Sequence, residues 1–162
     1  MTFSHDIKSL HLLGSSHHVA ELGVREKISL PQGEIDEFYN GLSKLPGLDE
    51  CLLLNTCNRT EIYGASKNGF TPDLLQKYLS EFRKLDPDFL REHSYIPPGE
   101  KVVRHLFELA SGIASQMVGE TEILGQVKKA YEDACKRRVS GKMLNRLFQK
   151  GFQAAKWART NT

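Results

Sequence analysis

The stretch that decides the fold is Cys51–Ala65, which reads CLLLNTCNRTEIYGA. Its first four residues, Cys51–Leu54, are all apolar, as is typical of a buried strand. Thr60–Ala65 alternates in polarity and predicts a second strand. The polar cluster Asn55–Arg59 therefore follows the end of an apolar strand, a place where open sheets commonly carry functional groups.

The flanking segments extend this pair into a larger α+β unit. Ile7–Gly14 predicts a strand closed by glycine, and Glu34–Leu45 an amphipathic helix. Thr71-Pro72-Asp73 is a helix-start signal, and Ser94–Ile96 predicts a short last strand. The order β-α-β-β-α-β predicts a ferredoxin-like antiparallel sheet.

The chain becomes helical after Gly99. Apolar spacing predicts one helix around Val103–Ile113, a second over Glu122–Arg138 and a third from Lys142 onward. We therefore expect a sheet subdomain over residues 1–99 and a helical subdomain over 100–162, which together form one domain. The last helix has no glycine or proline stop, so we expect the protein to continue into another domain or to have been cut.

Composition narrows the class of protein. The chain is 40% hydrophobic and 26% charged, and no apolar run approaches the roughly 20 residues that cross a bilayer. The first residues lack the pattern of a signal peptide. The three cysteines include no Cys-x-x-Cys pair, which argues against a disulfide framework or a thiolate zinc site and favours the cytoplasm.

The net charge of +2 conceals an asymmetry between the two parts. Residues 1–100 carry 10 Lys/Arg against 15 Asp/Glu, whereas residues 101–162 carry 12 against 5. A basic half can attract RNA in a salt-sensitive manner, although a solvated helical surface explains the same charges.

The polar cluster contains a candidate nucleophile, Cys57. A cysteine near an arginine reacts more readily, because the positive charge favours the thiolate. Thiolate attack on an activated ester gives a thioester, which accepts hydride more readily than an oxygen ester. The alternative is that Cys57 is an inert residue at a strand end and that Arg59 pairs with Glu61.

Further polar residues lie on the first two predicted helices of the basic half. His105 suits general acid–base chemistry or a hydrogen bond to a developing oxyanion, yet a lone histidine on an apolar helix is more often structural. Ser115 and Gln126 could hydrogen-bond a polar ligand, and Glu120 could hold an ammonium group. Two adjacent histidines, His17 and His18, point different ways and do not predict a metal site.

Three segments resemble glutamyl-tRNA reductases. Thr56–Glu61 is similar to that family's active-site segment, and Leu12–His17 with Val24–Lys27 resembles its opening strand and turn. His105–Ser115, followed by Gly119–Lys128, resembles its long second signature. The segments occur in the family's order and cover nearly the whole chain.

The resemblance implies a mechanism for the full-length enzyme. Cys57 would attack the ester of glutamyl-tRNA, tRNA would leave, and hydride from NADPH would release glutamate-1-semialdehyde for tetrapyrrole and haem biosynthesis. His105 would assist, and no metal is implied. The residues implied to bind the glutamyl group are Thr56, Asn58, Arg59, Ser115, Glu120, Thr121, Glu122 and Gln126.

The resemblance also implies parts that this sequence lacks. No Gly-x-Gly-x-x-Gly run follows any strand, so a downstream domain would bind NADPH. A further helical domain, at the C-terminus of the full-length enzyme, would form a homodimer. The product could be handed over to the following aminomutase. The chain departs from the family's pattern at Glu21, Ala114, Gln116 and Glu122. The rival hypothesis is a non-catalytic tRNA- or protein-binding module in which Cys57 is inert.

Overall fold

The computed structural model describes residues 7–67, 69–112 and 122–161. The strands are β1 (Leu10–Ser16), β2 (Leu48–Asn55) and β3 (Arg59–Ser66). The helices are α1 (Leu22–Ile28), α2 (Ile35–Leu42), α3 (Asp73–Arg83), α4 (Pro87–Glu92), α5 (Gly99–Ala110), α6 (Ile123–Lys136) and α7 (Lys142–Thr160). No described helix is both long enough and apolar enough to cross a membrane.

The three strands form an antiparallel sheet in the order β1-β3-β2. The central strand β3 places Glu61 opposite Gly14 of β1 and opposite Leu54 of β2. This arrangement confirms the predicted α+β class and the antiparallel sheet.

The predicted fourth strand, Ser94–Ile96, is reduced to a single bridge between Tyr95 and Gly14. Gly14 N donates to Tyr95 O at 3.0 Å, and Tyr95 N donates to Gly14 O at 2.8 Å. Pairing stops there because Pro97 and Pro98 have no N–H to donate. The bridge nevertheless lies beside β1, where a ferredoxin-like sheet has its fourth strand.

The remaining differences from the predicted elements are local. Ile7–Ser9 forms a 3-10 turn, so β1 begins at Leu10 rather than Ile7. Helices α1 and α4 were not predicted, since seven and six residues are too few for a clear apolar period. A signal for α4 was present: the Asp86 side chain accepts from the Asp88 N–H at 2.9 Å, and Pro87 occupies the first helical turn.

The core lies on both faces of the sheet. Because side chains alternate along a strand, Leu52 and Tyr63 face α5–α7, whereas Leu53 and Ile62 face the other way and pack with α2 and α3. The helical part is therefore packed directly onto the sheet. The division into residues 1–99 and 100–162 stays a prediction.

A carboxylate from the sheet caps the last helix. Both Glu50 oxygens accept hydrogen bonds from backbone N–H groups at the start of α7: Gly141 at 2.8 Å, Met143 at 3.0 Å and Leu144 at 2.8 Å. A negative charge here satisfies donors that have no partner inside the helix and complements the helix dipole.

Candidate active site

The turn between β2 and β3 carries Cys57. The Thr56 hydroxyl oxygen accepts from the N–H groups of Asn58 and Arg59, both at 3.2 Å, and Thr56 N donates to Arg59 O at 2.8 Å. These bonds close the turn and leave Cys57 exposed with a free thiol. The apolar strand thus delivers a thiol to the surface on a defined backbone.

Two segments outside the hairpin hold the same turn. Arg25 of α1 donates from Nη1 to Asn58 Oδ1 at 3.1 Å and to the Cys57 carbonyl oxygen at 3.4 Å. His17 N donates to the Asn58 carbonyl at 3.0 Å. The Arg25 guanidinium therefore binds the backbone and a side chain of the turn that carries Cys57.

A buried polar cluster is centred on Glu61 of β3, the strand that follows the turn. Residues 59, 61 and 63 share one face of the strand, the face covered by α5. Glu61 is 0% exposed and accepts from Tyr63 Oη at 2.6 Å, Tyr95 Oη at 2.6 Å, His105 Nε2 at 2.5 Å and Arg59 Nη1 at 3.3 Å. One carboxylate therefore links the sheet, the Tyr95 bridge and α5.

The cluster stabilises the charged form of its carboxylate. Burial alone raises the pKa of Glu61, but the charges of His105 and Arg59 and the hydrogen bonds outweigh it and lower the pKa to about 2. Burial, followed by the negative charge of Glu61, raises the pKa values of Tyr63 and Tyr95, so both hydroxyls remain donors. Glu61 is ionised at neutral pH.

A groove of about 550 Å³ opens beside the turn, between α2 and α6. Thr56 and Gln126 both line it, so the structure brings together two predicted ligand-binding residues that are far apart in sequence. Elsewhere along the groove, Arg137 pairs with Asp36 at 2.8 Å and with Asp133 at 2.9 Å. The groove is large enough to hold a small polar ligand beside Thr56, which precedes Cys57 in the chain.

The predicted site residues reach different places. Thr56, Asn58 and Arg59 lie at the turn with Cys57, although the Arg59 side chain is 1% exposed and donates to Glu61. Gln126 lies in the groove, while exposed Glu122 immediately precedes α6. The side chain of His105 is 26% exposed and contacts Glu61. Ser115, Glu120 and Thr121, like the departures Ala114 and Gln116, lie outside the described residues.

Sequence reasoning gave no role to Arg25, Tyr63 or Tyr95. The alternation of Arg59, Glu61 and Tyr63 along one strand was an available signal for their common face. Arg25 and Tyr95 reach the site only through tertiary contacts. Arg25 lies 33 residues before its partner Asn58, and Tyr95 lies 34 residues after its partner Glu61. Among residues 7–67, 69–112 and 122–161, no group of three or more His, Cys, Asp or Glu side chains could hold a metal ion.

Comparison with known proteins assigns the family. The family model described as "Glutamyl-tRNAGlu reductase, N-terminal domain" matches residues 13–162. The glutamyl-tRNA reductase of Idiomarina loihiensis is 38% identical over 154 residues, covering 95% of this chain and 36% of that protein. The one from Heliobacterium mobile is 36% identical over 156 residues, covering 94% and 35%.

A solved structure agrees with the sequence relatives. Glutamyl-tRNA reductase from Methanopyrus kandleri superposes with a TM-score of 0.74 at 32% identity, covering 96% of this chain and 35% of that one. The chain thus spans about a third of the length of the relatives it matches. With 150 of its 162 residues matched by the family model, the chain belongs to the glutamyl-tRNA reductase N-terminal domain family.

Proposed function

We propose that this chain is the catalytic domain of a glutamyl-tRNA reductase and that Cys57 takes the glutamyl group from the tRNA. The observation that carries the proposal is the exposed thiol on a turn that Thr56 and Arg25 hold in place, next to a groove of about 550 Å³. A nucleophile needs both access and a fixed position, and a positioned reactant removes much of the entropic barrier.

The chemistry of this step is acyl transfer. The Cys57 thiolate attacks the carbonyl carbon of the glutamyl ester, a C–S bond forms, and the C–O bond to the ribose breaks. The leaving 3′-terminal oxygen of the tRNA takes up a proton, and a glutamyl thioester remains on Cys57. We propose that His105, held by Glu61, assists by donating a hydrogen bond or a proton.

The glutamyl group would occupy the groove end that Thr56 and Gln126 line. The other residues that we propose to bind the glutamyl group are Asn58, Arg59 and Glu122, together with Ser115, Glu120 and Thr121, which lie outside the described part. Arg59 already donates to buried Glu61, so its role in binding the carboxylate would require a second donor of the same guanidinium. Arg25 carries another guanidinium at the turn and could share this role.

The reduction belongs to the full-length protein. None of the described strands is followed by a glycine-rich dinucleotide turn. We propose that a domain outside these residues binds NADPH, which supplies the hydride that converts the thioester to glutamate-1-semialdehyde for tetrapyrrole biosynthesis. Homodimer formation and delivery of the product to an aminomutase are further proposals about the whole enzyme.

Trapping of the adduct tests the nucleophile. The 162-residue chain is mixed with glutamyl-tRNA labelled in the glutamyl group, quenched with acid, digested and mapped by mass spectrometry. We expect one labelled peptide, carrying Cys57, and none in Cys57→Ser. The matched control is Cys135→Ser, which removes the other exposed thiol and should label normally. An adduct that persists in Cys57→Ser would refute the assignment.

Product analysis tests the division of labour. The same chain should release free glutamate slowly as water attacks the thioester, both with and without NADPH. It should form no appreciable glutamate-1-semialdehyde, because hydride transfer requires a positioned donor. The rival function, a binding module with an inert Cys57, predicts tRNA binding with no deacylation above the rate of buffer alone.

A further inference from the structure

Helix α7 has a one-sided charge. Its 19 residues, Lys142–Thr160, include three lysines and two arginines and no acidic residue. Leu144, Leu147, Phe148, Gly151 and Ala155 are buried against the rest of the protein, so the charged side chains occupy the opposite side of the helix. The basic residues are spread over the exposed side of a helix about 28 Å long, from a rise of 1.5 Å per residue.

Four of these five cations have no ion pair within the described part of the chain. Lys142, Lys150, Lys156 and Arg159 are exposed, and none of them forms an ion pair with any residue that the structure describes. By contrast, Arg137 of α6 pairs with Asp36 and Asp133. Helix α7 thus carries four exposed cations that have no ion-pair partner in the described part of the chain.

A shallow groove of about 340 Å³ lies between α6 and the end of α7. Lys128, Lys156 and Arg159 line it together with the polar Gln153, and none of the described residues that line it is acidic. Its apolar floor includes Phe152, over which Lys128 lies at 5.9 Å from the ring centroid. Three cations around one concave surface match an anion with several oxygens, such as a phosphodiester.

An exposed aromatic ring accompanies these charges. Trp157 is 68% exposed and is one of three exposed large hydrophobic residues in the described part of the chain. It is next to Lys156 in sequence and two residues before Arg159. Cations interleaved with an exposed aromatic ring are suited to single-stranded RNA, because phosphates contact the cations while an unpaired base stacks on the ring.

We propose that the outer face of α7, defined as Lys142, Lys150, Lys156, Trp157 and Arg159, binds an RNA backbone, with Lys128 contributing from α6. The RNA is the tRNA part of glutamyl-tRNA, an identification that rests on the proposed function. Trp157 stacks on an unpaired base, and the groove between α6 and α7 holds a phosphate. The face thus acts as a docking surface that is distinct from the groove beside Thr56.

Binding of RNA to charge-reversed variants tests this surface. The probe is fluorescently labelled, unacylated glutamate tRNA, titrated with the 162-residue chain from low to moderate salt. The variant Lys128→Glu/Lys156→Glu/Arg159→Glu should bind at least tenfold more weakly at about 100 mM salt. Its log–log salt slope should fall by about three units, one for each lost phosphate contact.

A matched control changes the same number of charges elsewhere. The variant Lys44→Glu/Lys67→Glu/Lys77→Glu alters three exposed lysines in the first part of the chain. It should bind the RNA with an affinity within about twofold of that of the parent chain. A milder version of the test variant, with Gln in place of each Glu, guards against misfolding. Circular dichroism of every variant should match that of the parent.

Trp157 provides an independent readout, since it is the chain's single tryptophan. Stacking of a base on the indole should quench its fluorescence as RNA is added, and Trp157→Ala should weaken RNA binding about fivefold or more. Unchanged fluorescence at saturation would contradict the stacking contact. Equal affinity and salt slope in the parent and the charge-reversed variant would overturn the proposal.

The outcome can be separated from that of the proposed function. If the α7 face does not bind RNA, Cys57 can still form the glutamyl adduct. In that case the proposed acyl transfer stands and only the docking surface is refuted. If RNA binds through this face but no adduct forms, the nucleophile assignment fails and the surface stands. Binding of acidic peptides or anionic vesicles in preference to tRNA would also overturn the proposal.

Discussion

Replacing Glu61 with glutamine should strongly destabilise the protein. The carboxylate is fully buried and accepts hydrogen bonds from two tyrosine hydroxyls, from His105 and from Arg59. Glu61→Gln preserves the size of the side chain but removes its charge and introduces an NH₂ group that faces donors. Arg59, whose side chain is 1% exposed, then loses the negative charge beside it.

Two independent arguments give a similar magnitude. Removing one partner of a buried ion pair typically costs about 3–5 kcal/mol. A carboxyl whose pKa falls from an ordinary 4.5 to about 2 on folding contributes about 3 kcal/mol to stability at neutral pH. We therefore expect Glu61→Gln to lower the free energy of unfolding by about 3 kcal/mol at pH 7.

The pH dependence has a defined sign. Because the folded-state pKa of Glu61 is depressed, its contribution is fully present above the unfolded-state value of 4.5 and is lost as the pH falls through about 2. The difference in stability between the parent and Glu61→Gln should thus shrink on acidification, by about 1 kcal/mol at pH 3.5.

Urea denaturation followed by circular dichroism measures this difference. The parent, Glu61→Gln and the control Glu37→Gln, which changes an exposed glutamate of α2, are unfolded at pH 7 and at pH 3.5. The control should remain within about 0.5 kcal/mol of the parent. A loss below about 1 kcal/mol in Glu61→Gln, with no change between the two pH values, would refute the argument from burial and charge.

Three further changes test other parts of the structure. Iodoacetamide at neutral pH should modify Cys57 before Cys135, and Cys51 last, since burial raises the pKa of Cys51 to about 12. Peptide mapping at successive times gives the order of modification, and early labelling of Cys51 would contradict its burial. Glu50→Ala should lower the free energy of unfolding by about 1–2 kcal/mol in urea titrations, because three N–H groups at the start of α7 lose their acceptor. Arg59→Lys should weaken the preference for glutamyl-tRNA by about 1–3 kcal/mol, as one ammonium cannot replace a guanidinium fork; an unchanged preference over other aminoacyl-tRNAs would argue against Arg59 as a ligand.

Much of the fold could be predicted from local patterns. Two strands are predicted by the apolar run Cys51–Leu54 and by the alternating polarity of Thr60–Ala65, which lie on either side of a polar turn. The structure confirms both strands. Long helices such as α6 and α7 repeat their apolar period often enough to be recognised. Helices α1 and α4 complete too few turns for this, and Ser94–Ile96 is limited to one bridge by the prolines that follow it.

The sequence by itself determined which residues lie at the β2–β3 turn, because Thr56, Cys57 and Asn58 are neighbours in the chain and a short turn keeps them together. Only the tertiary structure decided what meets that turn. Arg25 reaches it from α1, and Gln126 enters the groove beside Thr56 from α6. Periodicity specifies which face of an element is buried, but not which distant element covers that face. That choice depends on how the helices pack across the sheet, and it brings His105 to Glu61 over 44 residues of chain.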